Sequence, residues 1–158
     1  MAVDKVLATI ESKRTFCNYR EGQTGPEYLR QHVKTVKAFQ KIGDGQKGHD
    51  ILIVSCQFGF RHRDRSVYRA REVMNKRRVE FGLGAFAVGC MILTHPEHEV
   101  KWEQFHVDCV GDEFSPGADG DFWAASVFGF DDGEVGFSAR RFGDAYENYG
   151  SASAFLSQ

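Results

Sequence analysis

Val3, Val6, Leu7 and Ile10 recur at steps of three and four, which predicts a short amphipathic helix over residues 2–13. Residues 15–20 (TFCNYR) alternate weakly, as a short strand would, and EGQTG follows as a turn. Leu29, Val33, Val36 and Phe39 keep a helical period, so residues 26–42 are predicted to be a helix. Thr24 would cap it, Pro26 would sit in its first turn, Glu27 would face its positive end, and Gly43 would stop it. After the turn formers GDGQKGHD, the run DILIVSCQF over 50–58 reads as a buried strand. A second helix is expected over 66–77, with Val67, Ala70, Val73 and Met74 turned inward.

Residues 79–93 read as a long strand, because each interior glycine would cost a helix about 1 kcal/mol, and Gly82, Gly84 and Gly89 would instead mark bends. Phe105, Val107 and Cys109 alternate with Gln104, His106 and Asp108, so 101–110 is expected to be a half-exposed strand. Residues 111–121 read as a loop. The aromatic-rich runs 122–130 and 135–142 flank Asp131-Asp132-Gly133-Glu134, a strong hairpin pattern. Residues 144–158 are small and polar and read as a loosely held tail. With no repeat and no linker, the pattern predicts one globular domain over 1–158. Its expected class is α+β: a mainly antiparallel sheet, two or three helices packed on one face, and a C-terminal β-meander.

Composition adds little to this. Of 158 residues, 42% are apolar and 27% charged, ordinary for a globular chain that can fold without a disulfide or a metal. Cys17, Cys56, Cys90 and Cys109 are far apart, and the last three lie in apolar runs, as small buried hydrophobes do. The first residues lack a basic stretch followed by an apolar one, and the longest apolar run, 81–94, is too short to span a bilayer as a helix. A cytoplasmic protein with no membrane partner is expected.

Charge changes the picture. Residues 1–96 carry 17 Lys/Arg against 9 Asp/Glu, and residues 97–158 carry 3 against 13. Arg30, Lys34, Lys37 and Lys41 would fall within about 60° on one helix face. A denser group follows: Arg61, His62, Arg63, Arg65, Arg69, Arg71, Lys76, Arg77 and Arg78, offset by Asp64 and Glu72. A phosphate chain needs several cations within reach of successive charges, and arginine suits bidentate contact with phosphate. Phe58, Phe60, Tyr68 and Phe81 flank the group and could stack on bases. These features point to a small non-enzymatic protein that contacts nucleic acid, or a nucleic-acid-handling complex, through basic helices. No known RNA- or DNA-binding motif accompanies them. The alternative is an interaction or assembly protein whose basic half meets an acidic partner surface or a second copy of itself.

Other chemistry is thinner. His95, His98, His106 and Asp108 lie close in sequence but lack a metal-ligand spacing. Glu99-Val100-Lys101, with Asp50 or Asp108, resembles the short ExK element of some metal-dependent nucleases. This leaves a small hydrolase using Glu99, Lys101, His106 and Asp108 as a third reading. FGLGAFAVG lacks both the dinucleotide and the P-loop pattern. The acidic loop residues Asp112, Glu113, Asp119 and Asp121 do not match a calcium loop. No metal and no cofactor are expected.

Overall fold

A computed structural model describes residues 2–95, 106–131 and 133–156. Four α-helices occur among them: α1 (Ala2–Glu11), α2 (Val33–Gly45), α3 (Val67–Lys76) and α4 (Ala85–Thr94). The strands are β1 (Phe16–Asn18), β2 (Leu29–Gln31), β3 (Ser55–Gln57), β4 (Glu80–Gly82), β5 (His106–Asp108), β6 (Asp112–Phe114), β7 (Ala124–Asp131), β8 (Glu134–Arg141), β9 (Tyr149–Ser151) and β10 (Ser153–Phe155). The larger sheet runs β1-β8-β7-β5-β9, with β6 also on β7 and β2 on β6; the smaller is β3-β10-β4. Most pairs are antiparallel, and β1–β8 and β5–β9 are parallel. The class is α+β, with a C-terminal run of strands.

The β7–β8 hairpin forms the centre of the larger sheet. Its register runs from Ala124 opposite Arg141 to Asp131 opposite Glu134, and Gly133 turns the chain at φ 91°. Phe128, Phe130, Val135 and Phe137 are fully buried and meet Val6, Leu7 and Ile10 of α1 and Val88 and Ile92 of α4. A second cluster seats α3 through Val67, Ala70 and Met74 on Val110, Ala125 and Phe142. Ser66 caps α3, its hydroxyl accepting from the Arg69 amide.

The expected helix over 26–42 begins later. Thr24 is buried and its hydroxyl bonds to Asp4, so it does not cap a helix. Leu29–Gln31 pairs with β6 instead, and α2 starts after His32, whose Nδ1 accepts from the Lys34 amide at 3.3 Å. The buried face of α2 is Thr35 and Ala38, and Val33 and Val36 point to solvent. The expected strand over 50–58 shrinks to Ser55–Gln57. Its partner β10 ends at Phe155, opposite Ser55, so residues 51–54 have no strand beside them, and Ile51 and Ile53 are exposed.

The long strand expected over 79–93 is β4 followed by α4. Helix α4 is apolar around most of its circumference, so its sequence shows no helical alternation. Gly89 lies where α1 crosses, and a Cβ there would overlap Val6 Cγ1. β5 is buried along its length, not half-exposed, because it lies between β7 and β9; residues 101–105 lie outside the described ones. Part of the expected loop 111–121 is β6. Residues read as a loose tail form β9 and β10, buried from Gly150 to Ala154. Their small side chains permit close packing: a Cβ at Gly150 would meet the Gly59 backbone. Cys109 is buried as expected, but Cys56 is exposed, and all four cysteines are free thiols. No described helix is long and apolar enough to cross a membrane.

Asp112 ties β6 to α4. Its Oδ2 accepts from the Ala85 amide at 2.5 Å and from the Ser126 hydroxyl at 3.0 Å. Burial pushes its pKa from the ordinary 3.8 up to about 6. Between those values the native state holds a proton that the unfolded chain has released, so this group's contribution to stability falls as pH rises through that window.

Two outcomes are expected. Gly89→Ala gains about 1 kcal/mol of helix propensity but overpacks against the stiff Val6, for a net loss of about 1–2 kcal/mol, measured by urea denaturation. Asp112→Asn keeps an acceptor oxygen for both donors. It should flatten the fall in stability between about pH 4 and pH 6, by about 1–3 kcal/mol relative to the parent, in denaturation curves at successive pH values.

Candidate nucleic-acid interface

The two ends of the 61–78 basic group meet at Glu80. This residue opens β4, and its side chain has no solvent exposure. A carboxylate removed from water needs donors and counter-charge, and here these come from several parts of the chain. His62 Nε2 lies 2.7 Å from Oε1. Arg65 donates to His62 Nδ1 at 2.9 Å; since a guanidinium can only donate, Nδ1 accepts and Nε2 carries the hydrogen toward Glu80. The Ser153 hydroxyl of β10 donates to Oε1 at 2.9 Å and accepts from Gln57 Nε2 of β3 at 2.7 Å. Arg61 Nε stands 3.3 Å from Oε1. The other oxygen, Oε2, accepts no hydrogen bond among the described residues and lies 3.9 Å from the Arg77 guanidinium.

Local sequence sets this geometry. Gly59 adopts φ 115°, and its amide donates to Gln57 Oε1 at 2.6 Å; the chain then turns through the short 3-10 segment Phe60–His62. That turn buries His62 and leaves the Arg61 side chain 45% exposed. The end of α3 presents Arg77 on the same carboxylate, with its side chain 50% exposed. Lys34 of α2 donates to the Met74 carbonyl near the end of α3 at 2.9 Å. Burial holds the Lys34 ammonium below its ordinary pKa, with the Glu80 charge acting in the opposite sense. Lys37 and Lys41 continue along α2, and both are exposed, as is Arg78.

The remaining candidates divide. Arg69 and Lys76 share Glu72, at 2.5 and 3.1 Å, on the exposed side of α3. Arg65 also reaches the Arg61 carbonyl at 3.3 Å. Arg63 lies beside Asp64 at 3.2 Å. Arg71 turns inward, donating to the carbonyls of Val110 and Asp112 at 2.9 and 2.5 Å and lying over the Phe142 ring. Arg30 stands apart. It is on β2, not on the helix face where the spacing put it, with Nε 2.8 Å from Glu113 and its guanidinium 3.8 Å from the Phe122 ring centre. Of the stacking candidates, Phe60 is 72% and Tyr68 62% exposed, whereas Phe58 packs against the main core and meets His95 edge-on. Phe81, also named as a flanking ring, is buried against Phe39.

Sequence reasoning missed Glu80, Gln57 and Ser153 as the group that binds these elements together. The one available signal was an acid set between Val79 and Phe81 directly after the arginine-rich run.

The hydrolytic and metal readings gain no support. His98, Glu99 and Lys101 lie outside the described residues. Asp108 is engaged by Arg140 in a two-point pair, with both contacts at 2.5 Å, and burial raises its pKa against the pull of that guanidinium. Among the described residues no three His, Cys, Asp or Glu side chains are grouped to hold a metal ion. Comparison of the chain with protein-family models, with curated proteins and with solved structures finds no match to any of them.

Ser153→Ala should cost about 1.5–3 kcal/mol, because a buried carboxylate loses a donor. Arg30→Ala should cost under about 1 kcal/mol, as the loss of an exposed pair does. Urea denaturation of the two variants side by side checks this contrast.

Proposed function

We propose that this protein binds nucleic acid through the surface where α2, the 60–62 turn and the end of α3 converge. The observation that carries the reading is the Glu80 junction. One buried carboxylate gathers Arg61 and Arg77 from separate segments, and the Lys34–Met74 contact sets α2 beside them. The arginines keep about half of their side-chain surface in water, so nitrogens not used by Glu80 remain open to phosphate oxygens. Exposed Phe60 and Tyr68 suit stacking on unpaired bases, and the absence of a base-reading motif suits contact that is mainly with the backbone.

Binding of a short single-stranded oligonucleotide should then weaken steeply as salt rises, with a log–log slope of about −3 to −4 for four to six phosphate contacts. Arg77→Ala, and Lys37→Ala with Lys41→Ala, should each weaken binding and make the slope shallower. Arg30→Ala and Arg63→Ala should leave both unchanged. A filter-binding titration measures all of this. No binding at low salt, or a loss on Arg30→Ala equal to that on Arg77→Ala, would remove this reading. An oligomer that dissolves with salt, in the absence of nucleic-acid binding, would assign the surface to contacts between copies.

A further inference from the structure

The acidic half of the chain carries a second site of opposite sign, independent of the basic junction. Strands β7 and β8 place Gly129 directly opposite Gly136 on the sheet. Without side chains there, two rings lean in from either flank. Tyr19, just beyond β1, lies over Gly136, with its ring 3.3 Å from where a Cβ would stand; His106 of β5 lies over Gly129 at 3.5 Å. Between them opens a cleft of about 270 Å³, lined also by Ser138, Tyr149, Asp131 and Glu134.

Two carboxylates, Asp131 and Glu134, give this cleft its charge. His106 Nδ1 accepts from the Phe130 amide at 2.9 Å, so its hydrogen sits on Nε2, 3.9 Å from Asp131 Oδ1. Burial holds this imidazole below its ordinary pKa, which keeps it neutral near pH 7. Asp131 and Glu134 are the closing pair of the hairpin and face each other across the strands. Like charges placed directly opposite repel, and among the described residues no lysine or arginine pairs with either. The nearby Arg140 is committed to Asp108. Tyr19, 63% exposed, offers a π-face beside the two carboxylates, and the charges of Asp131 and Glu134 help raise its phenol pKa, after the larger effect of Cys17.

We propose that this glycine-seated cleft binds a small organic cation bearing an ammonium headgroup. The headgroup lies against the Tyr19 ring and between Asp131 and Glu134, and the Ser138 hydroxyl serves the polar remainder. The size of the cleft suits a metabolite-sized ligand, and its charge excludes anions. An aromatic face combined with carboxylates favours a soft, weakly hydrated cation over a neutral ring.

Choline is the probe, titrated into the whole chain by NMR or calorimetry and compared with its neutral isostere in which carbon replaces nitrogen. Choline should bind, with the isostere weaker by roughly tenfold or more. Tyr19→Leu, and Asp131→Asn combined with Glu134→Gln, should each weaken choline by a similar factor while leaving the circular-dichroism spectrum unchanged. These substitutions lie on the surface of the sheet, so loss of binding with a retained fold reads the site and not stability. No choline binding at tens of millimolar, equal binding of the isostere, or choline binding indifferent to both variants would overturn the proposal.

Discussion

A buried negative charge at the start of β4 organises much of this molecule. Glu80 cannot sit out of water alone, and breaking one partner from such a group typically costs several kcal/mol. The chain answers with His62 from the 60–62 turn, Ser153 from β10 and guanidinium groups from both sides. The partners come from the 60–62 turn, β10 and the end of α3, so satisfying the carboxylate also fixes how these stand against β4. Arg61 and Arg77 are drawn to one place for the same reason. The closeness of these two guanidinium groups is therefore partly a consequence of the electrostatics of folding.

The acidic half follows a different rule. Asp108 and Arg140 neutralise each other in a two-point pair packed beside Tyr146 and Tyr149. Asp112 is spent on the amide of Ala85. Among the described residues, Arg30–Glu113 is the one ion pair that joins the two halves. The basic residues around α3 instead find their acids nearby, in Asp64, Glu72 and Glu80. Among the described residues, most ion pairs therefore form within one half of the sequence rather than between the two.

Several elements were legible in the chain because their signals were local. The hairpin between β7 and β8, the helix expected over 66–77 and the stripe of α1 each rest on a few nearby residues, and all three are present. The misreadings arose where tertiary contacts outweighed local pattern. Thr24 and Pro26 looked like a helix start, but Thr24 is taken by Asp4 and Leu29 by β6. Gly89 argued against a helix, yet it is the point where α1 comes close to α4. The small residues of the C-terminal segment suggested looseness and instead permit a close backbone approach between Gly150 of β9 and Gly59. The cations themselves could be counted from sequence. Their sorting into gathered ones and the stray Arg30 could not, because it depends on which acid each one finds.

The gathering of α2, the 60–62 turn and the end of α3 into one binding face is most directly tested by mapping amide chemical shifts as a short single-stranded oligonucleotide is added at low salt. The account predicts shifts concentrated at Lys34, Lys37, Lys41, Arg61, Arg77 and Arg78, with Phe60 and Tyr68 among them, and none at Arg30 or along β7 and β8. Shifts centred on Arg30, or spread evenly over the molecule, would contradict it.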